Sequence, residues 1–189
     1  DYAKENYSRM GYLYEGVTTY MGDLYLKRSK VFSDREFYKT QEVNLLKHFH
    51  NGGRQNMSVA DSSFDTWLDG YERGIPNRKA SIYTEGCLLA FVTDQLIRQN
   101  SKGKNSLDTV MNEFYHSYYQ KGKGITEKDF ITEINKASTI DLENLWDNYF
   151  YGTKNFYSLL KSTLKKSDFK LTKEHNAKYF AAHYGFFNQ

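Results

Sequence analysis

The stretch Gly11–Arg28, GYLYEGVTTYMGDLYLKR, decides how the chain reads. At helical spacing Leu13, Val17, Tyr20 and Leu24 fall on one face, and Tyr14, Met21 and Tyr25 widen it. Glu15, Thr18, Thr19 and Gly22 form a second stripe at offsets of three, four and seven. A carboxylate one turn into a mostly apolar helix is costly to bury unless a cation, a metal or hydrogen bonds answer it. Gly16 beside it lets another backbone come close. Two readings of Glu15 stand side by side. It is either an acid favoured by the positive end of the helix dipole, or a carboxylate kept for chemistry.

Outward from this helix the chain continues as further helices. Ser33-Asp34-Arg35-Glu36 is a capping box opening a helix that runs to about His50 and stops at Asn51-Gly52-Gly53. Ser58 and Asp61 open a helix to about Gly70, and residues 71–79 read as a polar loop around Pro76. Ala80–Gln99 is the most apolar helix. Ser106 caps a helix to about Gln120, Thr126 and Asp129 open one to Ala137, and Asp141–Phe150 follows, stopped by Gly152. Lys170–Gln189 is ambiguous, with FKL and KYFAAHYGFF allowing short strands. The fold class is all-α, a bundle of about seven helices.

Composition narrows the function. At 189 residues the chain is long enough to bury about 70% of its unfolded surface. A net charge of +3 with acids and bases interleaved gives no basic stripe for nucleic acid, and no apolar run approaches the ~18 residues of a membrane span. A soluble protein, cytoplasmic or periplasmic, is expected. Cys87 is the only cysteine and sits in GCLLAF, a buried apolar residue rather than a nucleophile. The histidines are His48, His50, His116, His175 and His183, and none lies in an HExxH. His48 and His50, two apart on a helix, read as solvent-side residues or partners of the helix C-terminus.

Several segments carry a resemblance. YEGVTTY followed by DLYLKR is similar to the xEGxTxYYxxLxLxR helix of the M61 glycyl aminopeptidase-like zinc peptidases, members of the gluzincins. RQNMSVADSSFDTW (Arg54–Trp67) resembles that family's GR-x-SvaeaS-x-daW stretch, and SIYTEG (Ser81–Gly86) its sYYxKG. TDQLIR (Thr93–Arg98) and SLDTVM (Ser106–Met111) match the segments that follow, so order and spacing agree over about 150 residues. DYAKENYS at Asp1 resembles the linker between the HExxH helix and the EG helix. The chain is therefore expected to be a piece of a larger protein. It would be the C-terminal helical part of a thermolysin-like catalytic domain over residues 1–165, with a 166–189 tail leading toward a PDZ domain.

The resemblance implies an activity. Its family uses Zn2+ held by two HExxH histidines and a later glutamate, and Glu15 sits at that glutamate. Tyr83 sits at the tyrosine that donates a hydrogen bond to the oxyanion of the tetrahedral intermediate; read without the resemblance, it is a core tyrosine on an apolar helix. The parent is then expected to be a zinc aminopeptidase acting on peptides with glycine or another small residue at the N-terminus. This chain, lacking the HExxH half as its partner, is expected to hold no zinc and to be inactive alone, with its exposed cleft face open to self-association. Two positions depart from the pattern. Thr19 stands where many gluzincins place an acid orienting a zinc histidine. Glu85 stands at the family's lysine, reversing a charge and pointing to altered specificity or a lapsed enzyme. The competing reading is a non-catalytic peptidase-like binding or scaffold module. Trp67 is expected in the core, Asp61 and Ser62 as cap and loop pin, Asp94 and Arg98 as an i,i+4 pair, and Asp108 as a helix-start residue.

Overall fold

One helix, α6 (Ile82–Asn100), is apolar around most of its circumference, and the other elements pack on it. Cys87, Leu89, Val92 and Ile97 are all fully buried along it. A helix that is hydrophobic on most sides has to be surrounded. In the computed structural model, which describes residues 3–69, 75–167 and 169–172, it is surrounded by helices alone. No strand occurs among the described residues.

The Gly11–Arg28 stretch is helical but not uniformly wound. Tyr12–Val17 forms a π-helical turn, and α1 (Thr18–Arg28) continues from it. The remaining helices are α2 (Asp34–His50), α3 (Gly53–Asn56), α4 (Val59–Phe64), α5 (Thr66–Asp69), α7 (Leu107–Ser117), α8 (Glu127–Ser138), α9 (Glu143–Leu145) and α10 (Tyr157–Lys165). A second π-helical turn, Trp146–Phe150, follows α9.

The caps behave as the sequence indicates. The Glu36 carboxylate accepts from Ser33 N–H at 2.7 Å while Ser33 Oγ accepts from Glu36 N–H at 3.2 Å. Thr126 and Asp129 do the same at α8, at 2.8 and 3.2 Å. Ser58 Oγ accepts from Asp61 N–H at 3.0 Å and starts α4. Such caps stabilise each helix start by about 1 kcal/mol.

Several elements differ from the expected pattern. The helix expected from Ser58 to Gly70 breaks at Asp65, so α4 and α5 are separate short pieces. The Asn51-Gly52-Gly53 stop is followed at once by α3, and α10 is a further helix, ahead of the 166–189 tail, that the sequence does not mark. Residues 169–172, which include FKL, have no regular structure, and most of the 166–189 tail lies outside the described residues. Trp67 is 57% exposed rather than in the core, with its Nε1–H donating to the Asn6 carbonyl at 3.3 Å.

The π-helical turns share a packed aromatic layer. Tyr12 meets Phe150 edge-on at 4.9 Å between centroids, and Phe150 stacks on Trp146 at 4.6 Å. Tyr12 N–H donates to Ser63 Oγ at 3.0 Å and its hydroxyl to Glu127 at 2.7 Å, tying the first turn to α4 and α8.

Candidate functional site

Gly16 and Gly86 are where the Tyr12–Val17 turn crosses α6. A Cβ added to Gly16 would lie 2.3 Å from the Gly86 Cα and 2.8 Å from the Ile82 carbonyl oxygen. A Cβ on Gly86 would lie 2.7 Å from the Tyr12 carbonyl oxygen and 2.8 Å from the Gly16 Cα. The two backbones therefore touch, and no side chain fits between them. Glu15 precedes one glycine, and Tyr83 lies one turn before the other, beside the Ile82 carbonyl that also meets Gly16. The crossing brings the helices that carry the two residues into direct contact.

Both residues are half-buried, and Tyr83 packs against the core. The Glu15 carboxylate has no hydrogen bond or ion pair among the described residues, so its oxygens are available to a ligand. The winding around it supplies a further feature. A π-helical turn opens the normal backbone spacing and is frequent at functional sites, yet side-chain periodicity gives no sign of it in advance. Thr19 does not reach outward, since its hydroxyl donates to the Glu15 carbonyl oxygen of its own helix at 2.5 Å.

One carboxylate is not a metal site. Among the described residues no three His, Cys, Asp or Glu side chains come together in a way that could hold a metal ion. Glu15 fits zinc as a single ligand, and the rest of a tetrahedral set has to come from outside these residues.

Glu85 faces into the core. It is fully buried, with Oε2 2.8 Å from His48 Nδ1 and 3.5 Å from Arg54 Nε. Arg54 donates its two remaining nitrogens to the Gly152 and Tyr149 carbonyls, each at 2.9 Å. His48 stacks on Phe156 with centroids 4.6 Å apart, and the Arg54 guanidinium lies 4.6 Å from the same ring. Desolvation lowers the Arg54 pKa, and the Glu85 charge opposes that shift. The charge that departs from the family pattern thus faces His48 and Arg54 inside the core, while Glu85 Oε1 has no hydrogen-bond partner among the described residues. His48 is buried at 7% exposure, not on the solvent side. Cys87 is buried as expected, and burial pushes its thiol up to about 12, which removes it as a nucleophile.

The comparisons meet this geometry. A family model described as M61 glycyl aminopeptidase matches residues 1–89, the span holding the EG turn, the α4 segment and the first turns of α6. Over residues 1–89, then, the chain is similar to the M61 glycyl aminopeptidases. A solved aminopeptidase N family protein from Idiomarina loihiensis superposes on the chain with a TM-score of 0.77 at 27% identity, covering 85% of this chain. The chain spans 28% of that protein's length. No curated protein matches the sequence.

Proposed function

We propose that this chain is the helical part of an M61-type zinc-dependent aminopeptidase, acting on peptides with glycine or another small residue at the N-terminus. The observation that supports it is the Gly16–Gly86 contact, which joins the helix carrying Glu15 to the helix carrying Tyr83 without intervening side chains. In this reading Glu15 is the third protein ligand of zinc, and its half-buried, unpaired carboxylate suits that role. The metal, when bound, supplies Lewis-acid polarisation and an acidified water. Tyr83 donates a hydrogen bond to the oxyanion that develops on the scissile carbonyl. One such donor is worth about 2.7–4 kcal/mol in the transition state. The isolated chain, with one ligand, is proposed to be metal-poor and inactive.

The test is made in the full-length parent. Glu15→Gln should lose zinc by elemental analysis, and Tyr83→Phe should keep its zinc while turnover falls about a hundredfold. Full zinc retention by Glu15→Gln, or unchanged turnover in Tyr83→Phe, would remove the corresponding role. A parent without an HExxH sequence would leave the scaffold reading instead.

A further inference from the structure

The first turns of α6 are held from two directions. From one, Gly86 meets the Tyr12–Val17 turn, with the Gly16 Cα 2.8 Å from where a Gly86 Cβ would lie. From another, Glu85 is fully buried and faces His48 of α2 at 2.8 Å and Arg54 of α3 at 3.5 Å. Arg54 in turn grips the Tyr149 and Gly152 carbonyls, and the Phe156 ring packs against both basic partners. One side chain of the first turn is thereby fastened to α2, to α3 and, through Arg54, to the backbone at Tyr149 and Gly152.

This cluster is a poor way to gain stability alone. Glu85 Oε1 and Arg54 Nε are buried and make no hydrogen bond among the described residues. Such unmatched polar atoms are costly, and apolar side chains of similar volume often stabilise a core as well as a buried ion pair does, or better. What the charged groups supply, and apolar ones do not, is a fixed line of approach. Successive residues of a helix lie about 100° apart, so Glu85 and Gly86 restrain α6 along two nearly perpendicular directions. The glycine crossing sets how close α6 comes to its neighbour. The Glu85 contacts set how it is turned.

Tyr83 shares the first turn with Glu85, half-buried and packed against the core. With side chains reaching about 5–6 Å from a helix axis, a rotation of about 10° carries a side-chain end roughly 1 Å. A misplacement of about 1 Å at a reacting centre can lower a rate on the order of a hundredfold. We propose that Glu85 is a positioning residue: through His48 and Arg54 it fixes the rotation of the first turn of α6, and with it the place of the Tyr83 hydroxyl. The positioning requires neither metal nor hydrolysis. Only its consequence for turnover rests on the oxyanion role proposed for Tyr83.

The experiment places 3-fluorotyrosine in this chain in place of Tyr83 alone, or of Tyr118 alone just past α7, and follows each by fluorine NMR. Glu85→Gln and the milder Arg54→Lys should each shift or broaden the position-83 line and leave the position-118 line in place. A position-83 line that stays put in both variants overturns the proposal. Equal movement of both lines makes Glu85 a structural residue only, and overturns it as well. In the full-length parent the same two variants should lower kcat by about tenfold or more, with KM and zinc content unchanged. That loss should vanish in a Tyr83→Phe background, because it passes through the Tyr83 hydroxyl. A loss that persists there overturns the proposal. Unchanged turnover in Tyr83→Phe itself, with the position-83 line moving as expected, would remove the oxyanion role and leave the positioning standing.

Discussion

Glu85 carries a carboxylate at 0% exposure with His48 and Arg54 beside it, and the Phe156 ring packs on both of those partners. Removing such a group from water costs several kcal/mol, and only close partners of opposite charge offset that. Reversing its charge to the family's lysine would put three basic groups into one dry space. Glu85→Lys is therefore expected to destabilise the chain by more than about 3 kcal/mol or to prevent folding. Glu85→Gln keeps the shape and an acceptor for His48, and should cost less. Urea unfolding followed by tryptophan fluorescence measures both, and a Glu85→Lys chain as stable as the parent would exclude a buried triad. Sequence reading could not find this triad, because its members lie 37 and 31 positions apart and none belongs to a recognisable spacing. Trp67 failed for a related reason. A large aromatic suggests a core on hydrophobicity alone, while the short α5 that bears it leaves it on the surface.

The crossing of the first π-helical turn with α6 depends on two missing methyl groups. Gly16→Ala would place a Cβ 2.3 Å from the Gly86 Cα, where backbone rather than a pliable side chain has to yield. Overpacking of this kind costs typically 1–3 kcal/mol, and this site belongs at or above the upper end of that range. Gly22 is the internal control. It lies within α1 with nothing inside 4 Å of a built Cβ, so Gly22→Ala should stabilise by roughly 0.5–1 kcal/mol. Opposite signs for the two substitutions in equilibrium unfolding are the expected result; a neutral Gly16→Ala would show that the helices do not cross so closely. At this scale much was legible. The capping residues Ser33, Ser58 and Thr126 marked helix starts correctly because a cap is a local hydrogen bond. The glycine beside Glu15 indicated a close approach, but not which helix approached. The π-helical winding had no signal, since it changes backbone spacing without changing which residues are apolar.

Across the whole molecule, α1, α6 and α7 are joined by one polar network beneath their apolar contacts. Asp94 is 1% exposed; it accepts from the Tyr20 hydroxyl at 2.7 Å, Arg98 Nε at 2.9 Å and Leu107 N–H at 2.7 Å. At its solvent edge Arg28 forms a two-pronged pair with Asp108, both contacts at 2.6 Å, and Arg98 Nη2 approaches Asp108 at 3.7 Å. The i,i+4 pairing of Asp94 with Arg98 was readable from sequence; the fastening of three helices at Asp94 was not, because Tyr20 is 74 residues away. The hydrogen bonds from Arg28 hold the Asp108 carboxyl below its usual range. A carboxylate whose pKa is lowered by folding contributes stability above its unfolded pKa, near 3.9, and that contribution is lost as pH falls through the lower folded value. Asp108 is partly open to solvent, so the effect is screened and should shrink in high salt. Arg28→Gln is accordingly expected to be less stable than the parent chain at neutral pH. The two stabilities should converge as pH falls from about 4 through the lowered folded pKa of Asp108, below which the carboxyl is protonated in both. Urea unfolding at a series of pH values and two ionic strengths measures the gap, and a gap that stays constant down to pH 2 would exclude the ion pair as its source.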